Sequence, residues 1–544
     1  MLGQRETFYV RDEVRAQNFT VPSTLIAIGK HSLWFRADVE PKMPASTIHH
    51  LVDFFDEMAY PKITETFGEF RGPNPEGDAR ISFLFFDFRL TNHDHAVAYV
   101  HPLDLIPPDC LRPDQRSNQR KLVYLNSSFM RRDLAYVRST LGHEFVHLVL
   151  HSYDFLEESW VSEGLAELGT ALCGGGDYLK QKLADLKDVP DQPLVWSRSL
   201  RDTNRDYAIA YLWNHYLYCW TGGGKRNFFR QVVADRQTGL GTYLGPLQAL
   251  GLKLSDMYAS FWVANFFNNR DLGRGCYYDD FLAQFRLSRR DTSADSLPVT
   301  VLEQLSMGGG KGLVVRLPSD APSDLVCSVV HPFNILQTPD PATLGSQDVT
   351  AAFILQSKTS APRVIFQQLA YDKAQDVYRA DLAIPSGGAR SIGVVLASRK
   401  SLGIPADSYE YTQEPFGICI GSNDQALAKA RSRMTIAVLF EEKLQWYISY
   451  SEGLTGGSAA QKDSSLRALE GLTQEVVQMI SSPTTCQMTL ECFLERVRQQ
   501  PPARRKVLRP MIKKVRDFVA AGVAQGNESL RPVLTAFDQV LPGS

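Results

Sequence analysis

The sequence predicts an α+β fold in three parts: a mixed sheet with an attached helical subdomain over residues 1–290, a β-sandwich over 291–423, and a helical domain over 424–544. Three observations predict it. The apolar runs Ile81–Phe86 and Lys121–Leu125 are followed directly by a helical periodicity around residue 140, the order expected of buried strands feeding a covering helix. Short β-rich runs separated by turns begin near residue 295, and past Asp424 the apolar spacing is helical to the end.

In order, Thr7–Arg11 is a short strand, and Leu25–Ile28 with Ser32–Phe35 flank Gly29-Lys30 as a hairpin. Ile48, Leu51, Val52 and Phe55 follow the 3.6-residue period, with Pro44 near the helix start. Arg71–Gly77, rich in proline and glycine, is a loop. Ile81–Phe86 suits a strand buried on both faces, and Lys121–Leu125 should pair in the same sheet. Between them, His93, His95 and His101 invite a second metal site, but nothing near them completes a ligand set, so Asn92–His95 reads as a polar loop. Ala96–Val100 follows as a short extended segment.

Leu134, Val137, Leu141, Phe145 and Leu148 then define an amphipathic helix that closes the sheet subdomain, 1–157. The helical subdomain, 158–290, is broken by Cys173-Gly-Gly-Gly-Asp177 and is almost wholly helical from 178 to 285. Ala208, Tyr211, Leu212, His215 and Tyr216 lie along one helix ended by Gly222–Gly224, and Ser255 is a candidate cap for another through Phe266.

The sandwich is predicted from Leu313–Leu317, Leu325–Val330, Ala351–Leu355, Val364–Leu369, Val377–Ile384 and Ile392–Ala397, with a turn at Ser386–Gly388. Cys327 and Cys419 are candidates to bridge its two sheets. Helices over Ala426–Tyr450 and Ser464–Ile480, and three shorter ones after Pro483, are punctuated by Gly453–Gly457 and Pro501-Pro502. Arg504, Arg505, Lys506, Arg509, Lys513, Lys514 and Arg516 read as a solvated basic helix face.

A chain of 544 residues with net charge -2 has no general attraction for nucleic acid or anionic membrane. No apolar run reaches the roughly 18 residues of a membrane span, and Met1–Arg5 lacks the apolar core of a signal peptide. Eight cysteines, among them Cys486 and Cys492, suit either buried thiols or an oxidising compartment.

The chemistry concentrates in His143-Glu144-Phe145-Val146-His147. Histidines four apart on a helix have Cβ atoms roughly 5–6 Å apart and can grip one zinc ion, with the intervening glutamate as general base. A catalytic zinc takes three protein ligands, and Glu163 in Trp160–Glu167 is the candidate third. Glu167, one turn on, is placed to accept a hydrogen bond from the far nitrogen of a ligating histidine. A site completed by a third histidine six residues after His147 is set aside, because that position is Tyr153 and His151 comes too early.

His143–His147 followed by Ser162-Glu163-Gly164-Leu165-Ala166-Glu167 resembles the gluzincin metallopeptidases, which include thermolysin and the zinc aminopeptidases. Within them the chain most resembles the hyicolysin-type neutral metallopeptidases of bacteria, through the hairpin around Gly29, Asn92–Asp104, and Ser117-Asn118 ahead of a Tyr-Leu-Asn strand. The likeness covers roughly residues 5 to 285, and the gap from His147 to Glu163 is a few residues shorter than in thermolysin or the aminopeptidases. It implies a gluzincin catalytic region with a Zn2+ cofactor on His143, His147 and Glu163, Glu144 as base, and protein or peptide substrates. It also implies a secreted, cell-surface or periplasmic enzyme whose leader is not present in this chain. In the aminopeptidases a tyrosine on the corresponding helix stabilises the oxyanion, which points to Tyr207. Many such peptidases add the substrate backbone to an edge strand, which points to Ala98 and Tyr99. The Gly-x-Met-Glu-Asn element that captures a free amine in the aminopeptidases is absent, so an endopeptidase is expected. The rival of another class is an adhesin or binding protein carrying a degenerate peptidase domain. The retained ligands and Glu144 oppose it, and the appended domains remain candidates for surface or host-protein contacts.

Overall fold

The hairpin around Gly29 opens a mixed sheet. Strand β1 (Arg5–Asp12) pairs with β2 (Gln17–Ile28), which turns into β3 (Ser32–Ala37), all antiparallel. The turn is closed from outside by Asp56, whose carboxylate accepts from Lys30 N at 2.5 Å, His31 N at 3.1 Å and Ser32 Oγ at 3.0 Å. A Cβ at position 29 would lie 2.2 Å from Asp56 Oδ2, so a larger residue there would push that carboxylate off the turn. In this computed structural model the described residues are 1–540 apart from 13, 72–76, 94, 131–132, 190–191, 197–202, 224–226, 279–280, 333–348, 358–360, 376, 385–388, 400–412, 423, 457–458 and 482–485. They form two compact units that part between Ser288 and Arg289.

In the first unit, β4 (Ile81–Phe86) and β6 (Leu122–Asn126) extend the sheet in parallel with β3, and β5 (Ala98–Val100) closes it antiparallel to β6. The order among the described residues is β1-β2-β3-β4-β6-β5. Every residue of β4 and β6 is buried, as their continuous apolar runs require of central strands. Helix α1 (Ala45–Phe54) passes through a π-helical turn, Phe55–Ala59, into α2 (Tyr60–Phe67). A short α3 (Ser127–Met130) leads into α4 (Leu134–His151), capped by Asp133, whose Oδ1 accepts from Tyr136 N at 2.9 Å. Phe145 of α4 packs edge-on against Phe55 at 5.3 Å and stacks with Tyr60 at 5.5 Å. The second half of α4 is buried on almost every side, rather than along the single apolar stripe its spacing suggested.

Helices α5 (Ser159–Leu172), α6 (Gly176–Lys187), α7 (Thr203–Thr221), α8 (Phe228–Ala234), α9 (Leu244–Ala249) and α10 (Leu254–Phe267) complete the helical part. Its interior is aromatic, with Trp213, Tyr216, Tyr243, Phe261 and Trp262 fully buried. Ser255 does not cap α10: Lys253 stands at the cap, and Ser255 Oγ donates to Asp256. Helix also gives way earlier than expected, because Asn268 at φ 41 ends α10 and its side chain donates to the carbonyls of Leu282, Ala283 and Phe285, folding the following loop back.

The second unit begins with ten strands among the described residues: β7 (Arg290–Ser293), β8 (Val299–Ser306), β9 (Gly310–Arg316), β10 (Leu325–Pro332), β11 (Val349–Ser357), β12 (Arg363–Gln368), β13 (Ala370–Asp372), β14 (Val377–Ala383), β15 (Ala389–Ser398) and β16 (Gln413–Ser422). They make two sheets, β13-β14-β10-β16-β8 and β12-β11-β15-β9-β7, which close on one core containing Leu313, Phe353, Val394 and Ile418. The turn expected at Ser386–Gly388 lies outside the described residues. Cys327 and Cys419 cannot bridge the sheets: both stand in the same sheet, on neighbouring β10 and β16. Their register is offset by one residue, so Cys327 faces the core between the sheets while Cys419 faces the opposite side. Both are free thiols, as is Cys492.

Helix α11 (Gln425–Gly456) lies on that opposite side, where Leu427, Met434 and Val438 pack with Cys419. It runs through Gly453–Gly456 without a break, and its far half forms a second core with α12 (Ala459–Ile480), α13 (Cys486–Gln499), α14 (Pro502–Ala524) and α15 (Arg531–Val540). The regions read as separate at residue 424 therefore share one unit. No helix among the described residues is long and apolar enough to cross a membrane.

Candidate metal centre

Three helices of the first unit meet where their residues are smallest. A Cβ on Gly142 of α4 would stand 3.0 Å from the Gly169 carbonyl of α5, and one on Gly169 would meet the Gly142 carbonyl at the same distance. Gly164 lets α5 approach α7 in the same way, its added Cβ lying 2.7 Å from the Ala210 carbonyl. Backbone therefore rests near backbone at both crossings, with His143 following Gly142 in α4 and Glu163 preceding Gly164 in α5.

His143 Nε2 and His147 Nε2 are 3.1 Å apart, and Glu163 Oε2 lies 3.3 Å from the first and 3.4 Å from the second. Bonds of roughly 2.0–2.1 Å at tetrahedral angles separate the donor atoms around a zinc ion by about 3.3 Å, so the donor set fits the edges of such a site. Glu163 Oε2 is buried with no hydrogen-bond donor of its own. Among the described residues, these three are the group of histidine, cysteine and carboxylate side chains that could hold a metal ion. His93 and His95 are not part of such a group, with rings 6.4 Å apart and Asp94 outside the described residues.

The surrounding groups are tuned by burial and by one another. Burial pushes the Glu144 carboxyl up to about 7, opposed by His147 and reinforced by the negative charges of Glu163 and Glu167. Burial also pushes Glu163 upward, but His147 and His143 outweigh it and hold that carboxyl well below the usual range. Tyr207 reaches in from α7, its ring 6.4 Å from that of His143 and its hydroxyl under the influence of the Glu163 carboxylate. Burial and the carboxylates of Glu163, Glu167 and Glu144 raise its hydroxyl far above 10, which keeps it a hydrogen-bond donor.

The outer nitrogens of the histidines have different neighbours. His147 Nδ1 meets Ser162 Oγ at 3.0 Å. Glu167 faces His143 Nδ1 at 3.7 Å, longer than the hydrogen bond expected of it, and its Oε1 is engaged directly by Lys182 of α6. Neither Ser162 nor Lys182 was apparent from the sequence. Ser162 had a signal, a hydroxyl immediately before the proposed ligand, whereas Lys182 had none, since only the packing of α6 brings it in. Tyr153 is turned away, donating to the Glu69 carbonyl at 3.0 Å.

The site floors a cavity of about 550 Å³ whose lining includes Glu144, Tyr207, Lys182, Trp196, the stacked pair Tyr136 and Tyr178, and His151 with Phe155. One wall is His95–Val100. Strand β5 is the edge of its sheet, and Asn126 N donates to Val97 O at 2.9 Å. Alternation in an antiparallel pair then turns the backbone groups of Ala98 and Val100 to the open edge. Tyr99 lines the cavity as well, but its ring stacks on Tyr124 at 4.5 Å and against Phe88 at 5.0 Å, so packing accounts for that side chain.

A scan against protein-family models finds no match, and a search of curated proteins finds none either. Among solved structures, the periplasmic lysozyme inhibitor of g-type lysozyme PliG from Aeromonas hydrophila is similar at 10% identity and a TM-score of 0.14, covering 25% of this chain and 98% of that one. A mutant of the corresponding inhibitor PliG-Ec from Escherichia coli stands at 6% identity and a TM-score of 0.13, with the same coverage. Likeness at that level carries no argument about fold or function.

Proposed function

We propose that the chain is a zinc-dependent endopeptidase of the gluzincin kind, acting on protein or peptide substrates. One observation carries the reading: three donors spaced at 3.1–3.4 Å stand beside a buried carboxyl pushed up to about 7. His143, His147 and Glu163 would hold the ion. When bound, zinc supplies Lewis acidity toward a carbonyl and lowers the pKa of a coordinated water to about 7.

The remaining work falls to the chain's own groups. Glu144 Oε takes the proton from the attacking water and passes it to the leaving amine, a role that suits a carboxyl with a pKa near neutrality. The Tyr207 hydroxyl, on the cavity wall, donates to the substrate carbonyl oxygen as negative charge grows there. The open edge of β5 supplies backbone donors and acceptors at Ala98 and Val100 that hold an extended substrate across the cavity. The resemblance noted above, not any segment of the chain, supports action outside the cytoplasm.

Metal analysis with a quenched-peptide or casein assay tests the proposal. The wild type should carry about one zinc and cleave internal bonds. Glu144→Gln should keep the zinc and lose about 10²- to 10⁴-fold in activity. A wild type with neither zinc nor cleavage supports the binding-protein alternative, and a strict need for a free substrate amine supports an aminopeptidase.

A further inference from the structure

Glu167 is 2% exposed, and its Oε1 has two neighbours: Lys182 Nζ, in direct contact, and His143 Nδ1 at 3.7 Å. His143 presents Nε2 to the donor group, so its ring proton belongs on Nδ1, and a carboxylate oxygen opposite Nδ1 favours that tautomer and ring setting. The place of that oxygen is set by Lys182, whose ammonium also lies 4.9 Å from the centroid of the Tyr207 ring. A single side chain from α6 thus braces both the partner of a ligand and the tyrosine of the site.

We propose that Lys182 is a positioning residue of the metal centre, holding Glu167 Oε1 opposite His143 Nδ1 so that His143 keeps Nε2 as its donor. The inference rests on the zinc reading. It also makes a prediction opposite in sign to simple electrostatics: a lysine that is only a nearby positive charge repels a cation, so removing it would tighten zinc binding. If Lys182 acts through Glu167, removing it loosens binding.

Zinc affinity of the full chain, measured by competition with a chromophoric chelator, decides between them. Lys182→Met should weaken binding about 10- to 100-fold, Lys182→Arg should restore most of it, and Glu167→Gln should weaken it comparably. The double variant Lys182→Met/Glu167→Gln should bind no more weakly than the weaker single, because both changes break one linkage. Unchanged or tighter binding in Lys182→Met overturns the proposal, as do losses that multiply in the double. Should Lys182→Met fail to fold, as circular dichroism would reveal, Lys182→Gln decides in its place: weaker zinc binding than wild type supports the linkage, and unchanged or tighter binding overturns it. A wild type that binds no zinc overturns this inference and the zinc reading together. A tight wild type with an indifferent Lys182→Met overturns this one alone.

Discussion

Gly164→Ala tests whether helix contact builds the site. The new methyl carbon would stand 2.5 Å from Asn214 Nδ2, 2.7 Å from the Ala210 carbonyl oxygen and 2.9 Å from its carbon, where ordinary contacts begin near 3.4 Å. The carbonyl cannot give way easily, since it accepts from Asn214 Nδ2 at 3.0 Å while Asn214 Oδ1 accepts from Tyr243 at 2.9 Å. Relief therefore requires α5 and α7 to part by about 0.7 Å, the difference between 3.4 and 2.7 Å. Overpacking of this kind costs about 1–3 kcal/mol, offset by about 0.8–1 kcal/mol of better helix propensity. The net loss of about 0–2 kcal/mol corresponds to a Tm lower by up to roughly 8 °C. Glu163 moves with α5, so its 3.3 and 3.4 Å separations from the histidines change, and zinc affinity should fall at least about tenfold, given the roughly 0.5 Å tolerance of such sites. Calorimetry and chelator competition measure the two effects. Gly176→Ala is the control, with nothing within 4 Å of the added methyl, and should leave zinc affinity unchanged and Tm no lower than wild type. A Gly164→Ala protein with wild-type Tm and zinc affinity would refute the reasoning.

Tyr207→Phe should lower kcat by about 10²- to 10³-fold with zinc content unchanged, because it removes one hydrogen bond to the developing oxyanion; an unaffected kcat would take Tyr207 out of the mechanism. Glu157 is pushed from its ordinary 4.5 up to about 8, by burial first, against the hydrogen bonds it accepts from Gly239 N and Glu158 N. A folded value above the unfolded one contributes stability present below about 4.5 and lost as pH rises toward about 8. Glu157→Gln escapes that loss, so its Tm advantage over wild type should widen from pH 5 to pH 8; a constant or narrowing gap speaks against a protonated Glu157. Gly471 stands exposed inside α12 with nothing within 4 Å of an added methyl, so Gly471→Ala should stabilise the second unit by about 0.5–1 kcal/mol in denaturant unfolding. A lower stability would mean the site is not open.

The donor group was legible in the sequence because its main spacing is local. Two histidines four residues apart share a helix face whatever that helix packs against, and a glutamate on the next helix needs only one turn of chain to return. Continuous apolar runs likewise marked β4 and β6 as central strands. Strands β7, β8, β13 and β16 are not among the runs read from the sequence; in β16, Pro415, Gly417 and Gly421 interrupt the apolar pattern, and only pairing with β10 and β8 holds that segment extended. Cys327 and Cys419 looked like partners across two sheets until the register set them on opposite faces of one. The same holds within the site. Gly142, Gly164 and Gly169 look like weak points in their helices, and only the packed structure reveals them as the places where α4, α5 and α7 touch. Lys182 has no motif around it, and its contact with Glu167 exists only once α6 has docked. Periodicity belongs to the neighbouring turns of one segment and is written in the residues themselves, whereas the distance between two helices depends on what is missing from both at their crossing.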